Sequence, residues 1–162
     1  MTDSTPTDSI VPILGKVTSG IYILTARHGD NETGMLASWV MQAGFEPPTV
    51  TVAVKNGRYV LDWLDTGETF ALNVVGESGK SLLGHFGRGF EPGEPAFDGL
   101  DIERGQGDVP LLTAGTIGYL LCKPTGSLDS ADHRVFSAEV IGGALRGDEQ
   151  PMVHVRNSGA HY

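Results

Sequence analysis

The strongest constraint on the fold is a succession of short runs rich in β-branched and aromatic residues, separated by turns. The chain of 162 residues contains 23 glycines and 9 prolines, a composition that favours many tight turns. The clearest run is residues 49–54, where Val50, Val52 and Val54 recur at every second position. This period places the three valines on one face of a strand and predicts that this face is buried.

Other runs of the same kind extend this pattern along the chain. The predicted strands lie at residues 20–26, 34–40, 49–54, 70–75, 116–123, 134–141 and 152–156. The polar stretch 27–33 predicts a hairpin between the first two, with a loop longer than the favoured two residues. Residues 88–110 are rich in glycine, proline and acid and predict a surface loop long enough to carry a function.

Two short helices interrupt the predicted strands. Asn56 is expected to cap a helix over residues 58–66, and Ser78 one over residues 79–86. Long helices alternating with strands are absent, which argues against a parallel doubly wound sheet. The sequence therefore predicts a mainly β domain, either a barrel or a sandwich, with a few short helices.

The predicted domain occupies residues 12–162, since this length suits one core and no repeat or linker divides it. Residues 1–11 are predicted to form a flexible tail. A short helix is expected at residues 12–17, with Pro12 in its first turn, where the missing N–H costs little.

Charge and composition exclude several classes of function. The formal net charge of −9 disfavours nucleic acid, since affinity there depends on neutralising phosphates, and also disfavours anionic membrane surfaces. No apolar run approaches the ~18 residues of a membrane helix, and the first residues lack the pattern of a signal peptide. We therefore expect a cytoplasmic protein. The single cysteine, Cys122, lies in an apolar run and is expected to be buried.

Metal and hydrolytic chemistry receive no support from the sequence. The five histidines form no pair at i and i+4 and no cluster with cysteine, so no metal site is predicted. The Gly-x-Ser-x-Gly motif of many serine hydrolases is absent, although a spatial triad leaves no sequence signature. On the residues alone, Trp39 and Trp63 are both expected in the core, and His133 is expected to be structural.

Two segments suggest anion or ring binding. Lys55 and Arg58 flank the point where a strand gives way to a helix, an arrangement that attracts phosphate. A solvated basic turn explains the same residues equally well. In residues 86–90, two phenylalanines could flank a planar ring while Arg88 meets a phosphate. A helix end with a glycine stop is the favoured alternative for that stretch.

Several segments occur in an order that resembles a known family. They are residues 19–26, 34–39, 45–48, 70–74, His85-Phe86, Asp132-His133 and 135–140. Together they resemble the flavin reductase-like family, the FMN-binding split barrels, from about Ile13 to Tyr162. Residues 35–40 and the stretch 158–162 are most similar to the reductase module at the C-terminus of some cyanobacterial flavodiiron proteins.

This resemblance implies an FMN-binding split β-barrel that forms a homodimer, with FMN near the subunit boundary and FAD as an alternative cofactor. It implies an NAD(P)H:flavin oxidoreductase that passes electrons to a downstream acceptor, such as a monooxygenase or a diiron protein partner. An FMN-binding electron-transfer or sensor protein, reduced by a protein partner instead of nicotinamide, is the alternative function.

The resemblance also assigns roles to individual residues. Those expected beside the flavin ring and ribityl chain are Met35, Leu36, Ala37, Ser38, Trp39 and Gln42. Those expected around the phosphate are Ala53, Val54, Lys55, Asn56 and Arg58. Those expected to close the pocket are His85, Phe86 and Arg88. His133 is the expected catalytic residue, close to flavin and nicotinamide. Many relatives carry a hydroxyl at the positions of Trp39 and Gly44, where this chain has none. Candidates for a positive patch at the dinucleotide entrance are Arg27, Lys123 and Arg134.

Overall fold

Eleven strands and three short α-helices make up the fold in the computed structural model, which describes residues 6–162. The helices are α1 (Pro6–Leu14), α2 (Val60–Asp65) and α3 (Lys80–Gly87). The strands are β1 (Ser19–Gly20), β2 (Tyr22–His28), β3 (Asn31–Ala37), β4 (Val40–Phe45), β5 (Pro48–Lys55), β6 (Phe70–Val75), β7 (Ile102–Arg104), β8 (Pro110–Leu112), β9 (Thr116–Ser130), β10 (His133–Leu145) and β11 (Val153–His154).

The main sheet has seven strands in the order β3-β2-β6-β9-β10-β5-β4, and each neighbouring pair is antiparallel. Its edge strands β3 and β4 are joined by Ser38 and Trp39 alone. The Trp39 carbonyl accepts a hydrogen bond of 3.0 Å from the N–H of Ala53 in β5. These two residues form a seam between the sheet edges, and the open sheet confirms the predicted split β-barrel.

The barrel interior is filled by the residues that the alternating pattern placed there. Val50, Val52 and Val54 of β5 are all buried, and they belong to the same apolar cluster as Phe70 and Phe136. Burial of each such side chain stabilises the fold by about 1.5–3 kcal/mol. This cluster packs β5 and β10 side by side, and β5 ends and β10 begins at the site described below.

A second apolar cluster covers the outer face of β2. Ile23 of β2 packs there with Leu82 and Phe86 of α3 and with Phe90 and Phe97 from the segment that follows. Gly34 of β3 permits this arrangement, because a Cβ atom at that position would lie 3.0 Å from Cδ1 of Phe86. The close approach brings Phe86 against β3, next to the seam.

The structure corrects several predicted strand boundaries. The predicted strand 34–40 is two strands, β3 and β4, separated by the seam. The hairpin between β2 and β3 has a tight two-residue turn, since His28 pairs with Asn31 and Gly29 adopts a φ of +60°. The prediction of a longer loop was wrong because pairing continues through polar residues. Strands β9 and β10 likewise extend into an exposed polar hairpin, and the predicted loop 88–110 contains β7 and begins β8.

The predicted helix caps were also wrong. No side-chain cap bond forms at the start of α2 or α3. The Asn56 side-chain amide instead donates to the Ala131 carbonyl at 3.4 Å, and the Ser78 hydroxyl donates to Glu149 at 2.8 Å. In both cases a partner distant in sequence takes the polar side chain that a cap would use.

The first helix lies earlier than predicted. α1 spans Pro6–Leu14, so the helix expected at residues 12–17 was wrong, and Pro12 lies inside the helix. Residues 1–5 of the predicted tail lie outside the described residues, and the tail boundary at residue 11 stays a prediction. Among the described helices, none has the length and apolar character needed to cross a membrane.

Candidate functional site

A cavity of about 170 Å³, here called the inner cavity, opens at the seam of the barrel. Nine of the residues predicted to hold the cofactor line it: Met35, Leu36, Ala37, Ser38, Trp39, Ala53, Lys55, Arg58 and Phe86. β3 is an edge strand, so about half of its backbone N–H and C=O groups have no neighbouring strand to pair with. The structure thus brings free backbone groups, an aromatic ring and two cations together.

The two cations sit on a turn at the end of β5. Gly57 adopts a φ of +86°, and the N–H of Arg58 bonds to the Lys55 carbonyl at 3.4 Å. Within residues 6–162, no carboxylate lies at ion-pair distance from Lys55 or Arg58. Both charges are therefore available to an anion, in a chain whose net charge is −9.

The predicted entrance cations lie elsewhere. Arg27 is 3.6 Å from Glu32, and Arg134 is bonded to Asp129 at 2.9 Å and also to Asp65. Lys123 is exposed on β9 and lines neither of the cavities described here. The two arginines are paired with acids on neighbouring strands and on α2, and none of the three candidates lines either cavity, so their part in a positive patch stays a prediction.

A second cavity of about 370 Å³, the outer cavity, adjoins the inner one. The two share Trp39, Lys55 and Tyr162 as walls. His133 lines the outer cavity, where it is only 6% exposed, and its ring centroid lies 4.6 Å from that of Trp39. The predicted catalytic histidine and the predicted cofactor residues are thus next to each other on one continuous surface.

Asp132 fixes the orientation of the His133 ring. Its carboxylate lies 2.7 Å from Nδ1 of His133. The hydrogen bond from His133 lowers the pKa of the Asp132 carboxyl, and Lys55 adds a smaller effect in the same direction. A charged carboxylate accepts from Nδ1–H, so in the neutral imidazole Nε2 is the acceptor.

Asn56 connects the two turns that carry these groups. Its backbone N–H donates to the Asp132 carbonyl at 2.9 Å, in addition to the side-chain bond to Ala131. Asn56 lines neither cavity. It holds the turn of Asp132 and His133 against the turn of Lys55 and Arg58, which is a different contact from the one expected with phosphate.

Four other predicted residues lie outside the inner cavity. The side chain of Val54 is buried in the barrel core, so this residue has only backbone groups to offer. Gln42 is exposed on β4 and donates to the Gly44 carbonyl at 3.4 Å. Nε2 of His85 bonds to the Ala96 carbonyl at 2.7 Å, and the Arg88 guanidinium lies 4.2 Å from the centroid of Phe90.

The stretch 86–90 matches the helix-end interpretation. α3 ends at Gly87, and Gly89 adopts the left-handed φ of +76° expected of a glycine after a helix. Only Phe86 and Gly87 of this stretch reach the inner cavity.

The tryptophans and the cysteine test the core predictions. Trp63 and Cys122 are buried, as predicted, at 8% and 0% exposure. The expectation for Trp39 was wrong, because 37% of it is exposed and it separates the two cavities. A tryptophan in a seam between sheet edges has one face against the fold and one against solvent.

Tyr162 is the main site residue that the sequence reasoning missed. Its hydroxyl bonds to Nε2 of His133, and its ring centroid lies 5.3 Å from that of Trp39. Partial burial raises the pKa of the Tyr162 phenol, and the charge of Asp132 adds to this. Other unpredicted residues that line the inner cavity are Ile21, Leu83, Gly87 and His154. The only available signal was that residues 158–162 form part of the family resemblance.

Comparison with known proteins identifies the family of this chain. Residues 14–160 match the family described as flavin reductase like domain. A Synechocystis protein that carries the name diflavin flavoprotein A 2 is 39% identical over 151 residues, which are 92% of this chain and 26% of that protein. Diflavin flavoprotein A 1 of the same organism is 34% identical, with the same shares covered.

Among solved structures, the NADH:FAD oxidoreductase SgcE6 of Streptomyces globisporus superposes with a TM-score of 0.81 at 26% identity. The match covers 91% of this chain and 86% of SgcE6. The chain spans about a quarter of the length of the diflavin relatives, at 26%. The family match nevertheless extends over nearly all of this chain, which belongs to the flavin reductase-like domain family.

Proposed function

We propose that this domain binds FMN in the inner cavity and catalyses its reduction by NAD(P)H, delivering the electrons to a downstream acceptor. The observation that carries this proposal is the meeting of an edge strand with Lys55 and Arg58 in a cavity that adjoins the one lined by His133, in a member of this family. The name of SgcE6, an NADH:FAD oxidoreductase at 26% identity, supports flavin and nicotinamide as ligands.

The residues present fit a flavin mononucleotide. Ile21, Leu36 and Phe86 offer apolar surface to a planar ring, and the β3 edge offers hydrogen-bonding groups to its polar rim. Lys55 and Arg58 suit a phosphate, which accepts charge-assisted hydrogen bonds. Cofactor sites usually measure about 300–1,000 Å³. The inner cavity is smaller, at about 170 Å³, so the adjoining outer cavity supplies the remaining room.

FMN is preferred over FAD because two cations at one turn match a single terminal phosphate. When bound, the flavin supplies the redox centre that accepts a hydride from reduced nicotinamide. Those N–H groups at residues 35–39 that do not pair with β2 are held in place by the fold and would stabilise negative charge on a bound ring without reorganisation.

His133 is proposed to position the nicotinamide. With Nδ1–H committed to Asp132, Nε2 of the neutral ring accepts a hydrogen bond from an N–H, such as that of a carboxamide. The alternative role for His133, supplying a proton to the ligand, would require Nε2 to carry a proton. Arg156 and His161 also line the outer cavity and suit the phosphates of a dinucleotide.

We propose that the protein forms a homodimer through the surface next to Trp39. An apolar hollow of about 390 Å³ lies next to Trp39 and is lined by Leu14, Val17, Val40, Met41 and Val135, among others. Val17 is 64% exposed and Met41 is 71% exposed, which is unusual for such residues in a cluster. A second copy would cover this hollow and place the inner cavity near the subunit boundary.

The alternative function is an electron-transfer protein that holds FMN and is reduced by a protein partner. It is favoured by one finding, that the chain covers only 26% of relatives whose names indicate two flavins. In such a protein, neighbouring domains could supply or receive the electrons. A diiron or monooxygenase partner would then be the downstream acceptor.

Anaerobic reduction separates the two functions. The purified protein should bind added FMN with a measurable dissociation constant, and NADH or NADPH should then bleach the flavin absorbance at a rate proportional to protein. Binding of FMN without bleaching by either nicotinamide would favour the electron-transfer function. Failure to bind FMN, FAD or riboflavin would contradict both.

A further inference from the structure

The segment 155–162, here called the closing segment, follows β11 and lies over the site. Its residue Tyr162 lines both cavities, and its ring lies within 6 Å of two others: 5.3 Å from Trp39 and 5.8 Å from His133, between centroids. The space it fills lies between the small inner cavity and the larger outer one. A planar ligand that spans the two cavities needs that space.

The hydrogen bond of Tyr162 has a defined direction when the imidazole of His133 is neutral. Asp132 then accepts from Nδ1–H of His133, which leaves Nε2 as an acceptor, and the phenol O–H donates to Nε2. Tyr162 therefore uses the same acceptor that an N–H of a bound ligand would use. The tyrosine and the ligand compete for one atom.

Surface contacts hold the closing segment down, including the Arg156 guanidinium, which donates to the Leu14 carbonyl at 3.2 Å and lies 5.2 Å from the centroid of the Trp39 ring. None of residues 153–162 is buried. Its backbone is tied to the beginning of the chain by two bonds, Arg156 N–H to the Gly15 carbonyl at 3.0 Å and Gly159 N–H to the Val11 carbonyl at 2.9 Å. Surface segments with so few buried contacts open locally at low free energy.

Gly159 allows the segment to lie this close to α1. A Cβ atom at that position would lie 2.6 Å from the Val11 carbonyl oxygen and would also clash with Leu14. The neighbouring Gly15 is equally confined, with a hypothetical Cβ 2.7 Å from the Arg156 carbonyl oxygen. A larger residue at position 159 should therefore lift the segment while leaving the barrel untouched.

We propose that Tyr162 closes the cleft of the ligand-free protein by bonding to His133, and that a planar heteroaromatic ligand with an N–H donor displaces it. The flavin ring and the nicotinamide carboxamide share this chemistry. The inference rests on the proposed function of the cleft. Since only the open form binds, the apparent dissociation constant equals the intrinsic one divided by the open fraction.

Ligand titration of Tyr162→Phe tests the proposal. The variant keeps the ring but loses one hydrogen bond, so FMN or NADH, titrated separately, should bind about three- to tenfold more tightly. Gly159→Val should act in the same direction. Tyr119→Phe is the matched control, since Tyr119 lies under Arg146 and lines neither cavity. The affinity of this control variant for FMN and for NADH should equal that of the wild type. The ligand whose affinity rises identifies the one that displaces Tyr162.

Unchanged or weaker binding of both ligands by Tyr162→Phe would overturn the proposal, because a tyrosine that merely lines the site contributes to binding. Hydrogen exchange provides a readout independent of activity. Saturation of the wild type with the displacing ligand should speed exchange at the Arg156 and Gly159 amides. Slower or unaltered exchange at both amides would equally overturn it.

Hydrogen exchange measured without ligand distinguishes a failure of the closing role of Tyr162 from a failure of the proposed function. Without any ligand, Tyr162→Phe should speed exchange at the Gly159 amide relative to the wild type and to Tyr119→Phe. If no ligand binds but exchange still rises, the contact closes the segment and only the proposed function fails. If ligands bind and exchange in the free variant is unaltered, the proposed function stands and the closing role of Tyr162 is refuted.

Discussion

His133 and Lys55 lie directly opposite each other where β10 pairs with β5. Residues opposed in this way project from the same face, with Cβ atoms about 4.5–5.5 Å apart. The pairing therefore directs the proposed nicotinamide-positioning side chain and one proposed phosphate-binding side chain into the same outer cavity, which both residues line.

Removal of the two cations should reveal whether they hold a phosphate. Lys55→Ala with Arg58→Ala should weaken FMN binding about a hundredfold or more, since each of the two charge-assisted hydrogen bonds contributes about 1.5–3 kcal/mol. Riboflavin lacks the phosphate, so its affinity should change little. Lys123→Ala serves as a charge-matched control on an exposed strand. An equal loss of riboflavin and FMN affinity would contradict the phosphate assignment.

Replacement of His133 should affect reduction more than flavin binding. His133→Ala should slow single-turnover reduction by NADH about tenfold or more, because a poorly oriented nicotinamide ring transfers its hydride more slowly. Its dissociation constant for FMN should not rise more than about threefold above the wild-type value, and loss of the bond to Tyr162 can only lower it. Asp132→Asn retains a weaker acceptor and should give an intermediate rate. If reduction by His133→Ala is as fast as in the wild type, the histidine has only a structural role.

The apolar hollow beside Trp39 should govern oligomeric state. Met41→Asp places a charge where a second copy would bury apolar surface, so it should shift the protein from dimer to monomer in sedimentation equilibrium. Leu145→Asp is the control, because Leu145 is also exposed, at 81%, but lies at the opposite end of β10 from Val135 and does not line the hollow. A wild-type protein that is monomeric at all concentrations would refute the proposed dimer.

Asn73 should be important for stability but not for ligand binding. Its side chain is fully buried, donates to the Ile23 carbonyl at 2.9 Å and accepts from the Leu112 N–H at 2.9 Å. Asn73→Leu removes the hydrogen-bond partner of the Ile23 carbonyl and of the Leu112 N–H, and it should lower the free energy of unfolding by about 2–4 kcal/mol. Urea denaturation measures this change. Asn157→Leu, at an exposed position, should be nearly neutral.

Cys122 should be unreactive in the folded protein. Burial raises the pKa of its thiol to about 12, from an ordinary value of 9.0, so the thiolate is scarce at pH 8. Iodoacetamide should modify the urea-unfolded chain and leave the native protein intact. Since the folded state keeps the proton and the unfolded state loses it, this group's contribution to stability is complete below pH 9 and declines as pH rises toward 12. Rapid native labelling at pH 8 would contradict this.

Much of the barrel could be predicted from local pattern, and the reason is visible in β5. Val50, Val52 and Val54 are buried because their period of two matches the pleat, which depends on no distant residue. The caps failed for the opposite reason. Asn56 and Ser78 are good cap residues by type, but Ala131 and Glu149, far along the chain, take their side chains.

The same distinction applies to the site. Lys55, Arg58 and His133 could be named in advance because the order of segments resembles a family, and the fold places them beside one seam. Tyr162 could not, because its contact with His133 spans 29 residues and the connecting chain is irregular. Neither periodicity nor propensity predicts where such a segment returns to the fold.

The short turn between β9 and β10 limits how this domain can be engineered. Ser130 pairs with His133, so only Ala131 and Asp132 form the turn, and Ala131 adopts a φ of +52°. Exposed hairpin tips normally tolerate inserted peptides or whole domains well. Here a single added residue would move Asp132 relative to the imidazole it orients, so fluorescent or affinity insertions belong elsewhere, for example near Gly93.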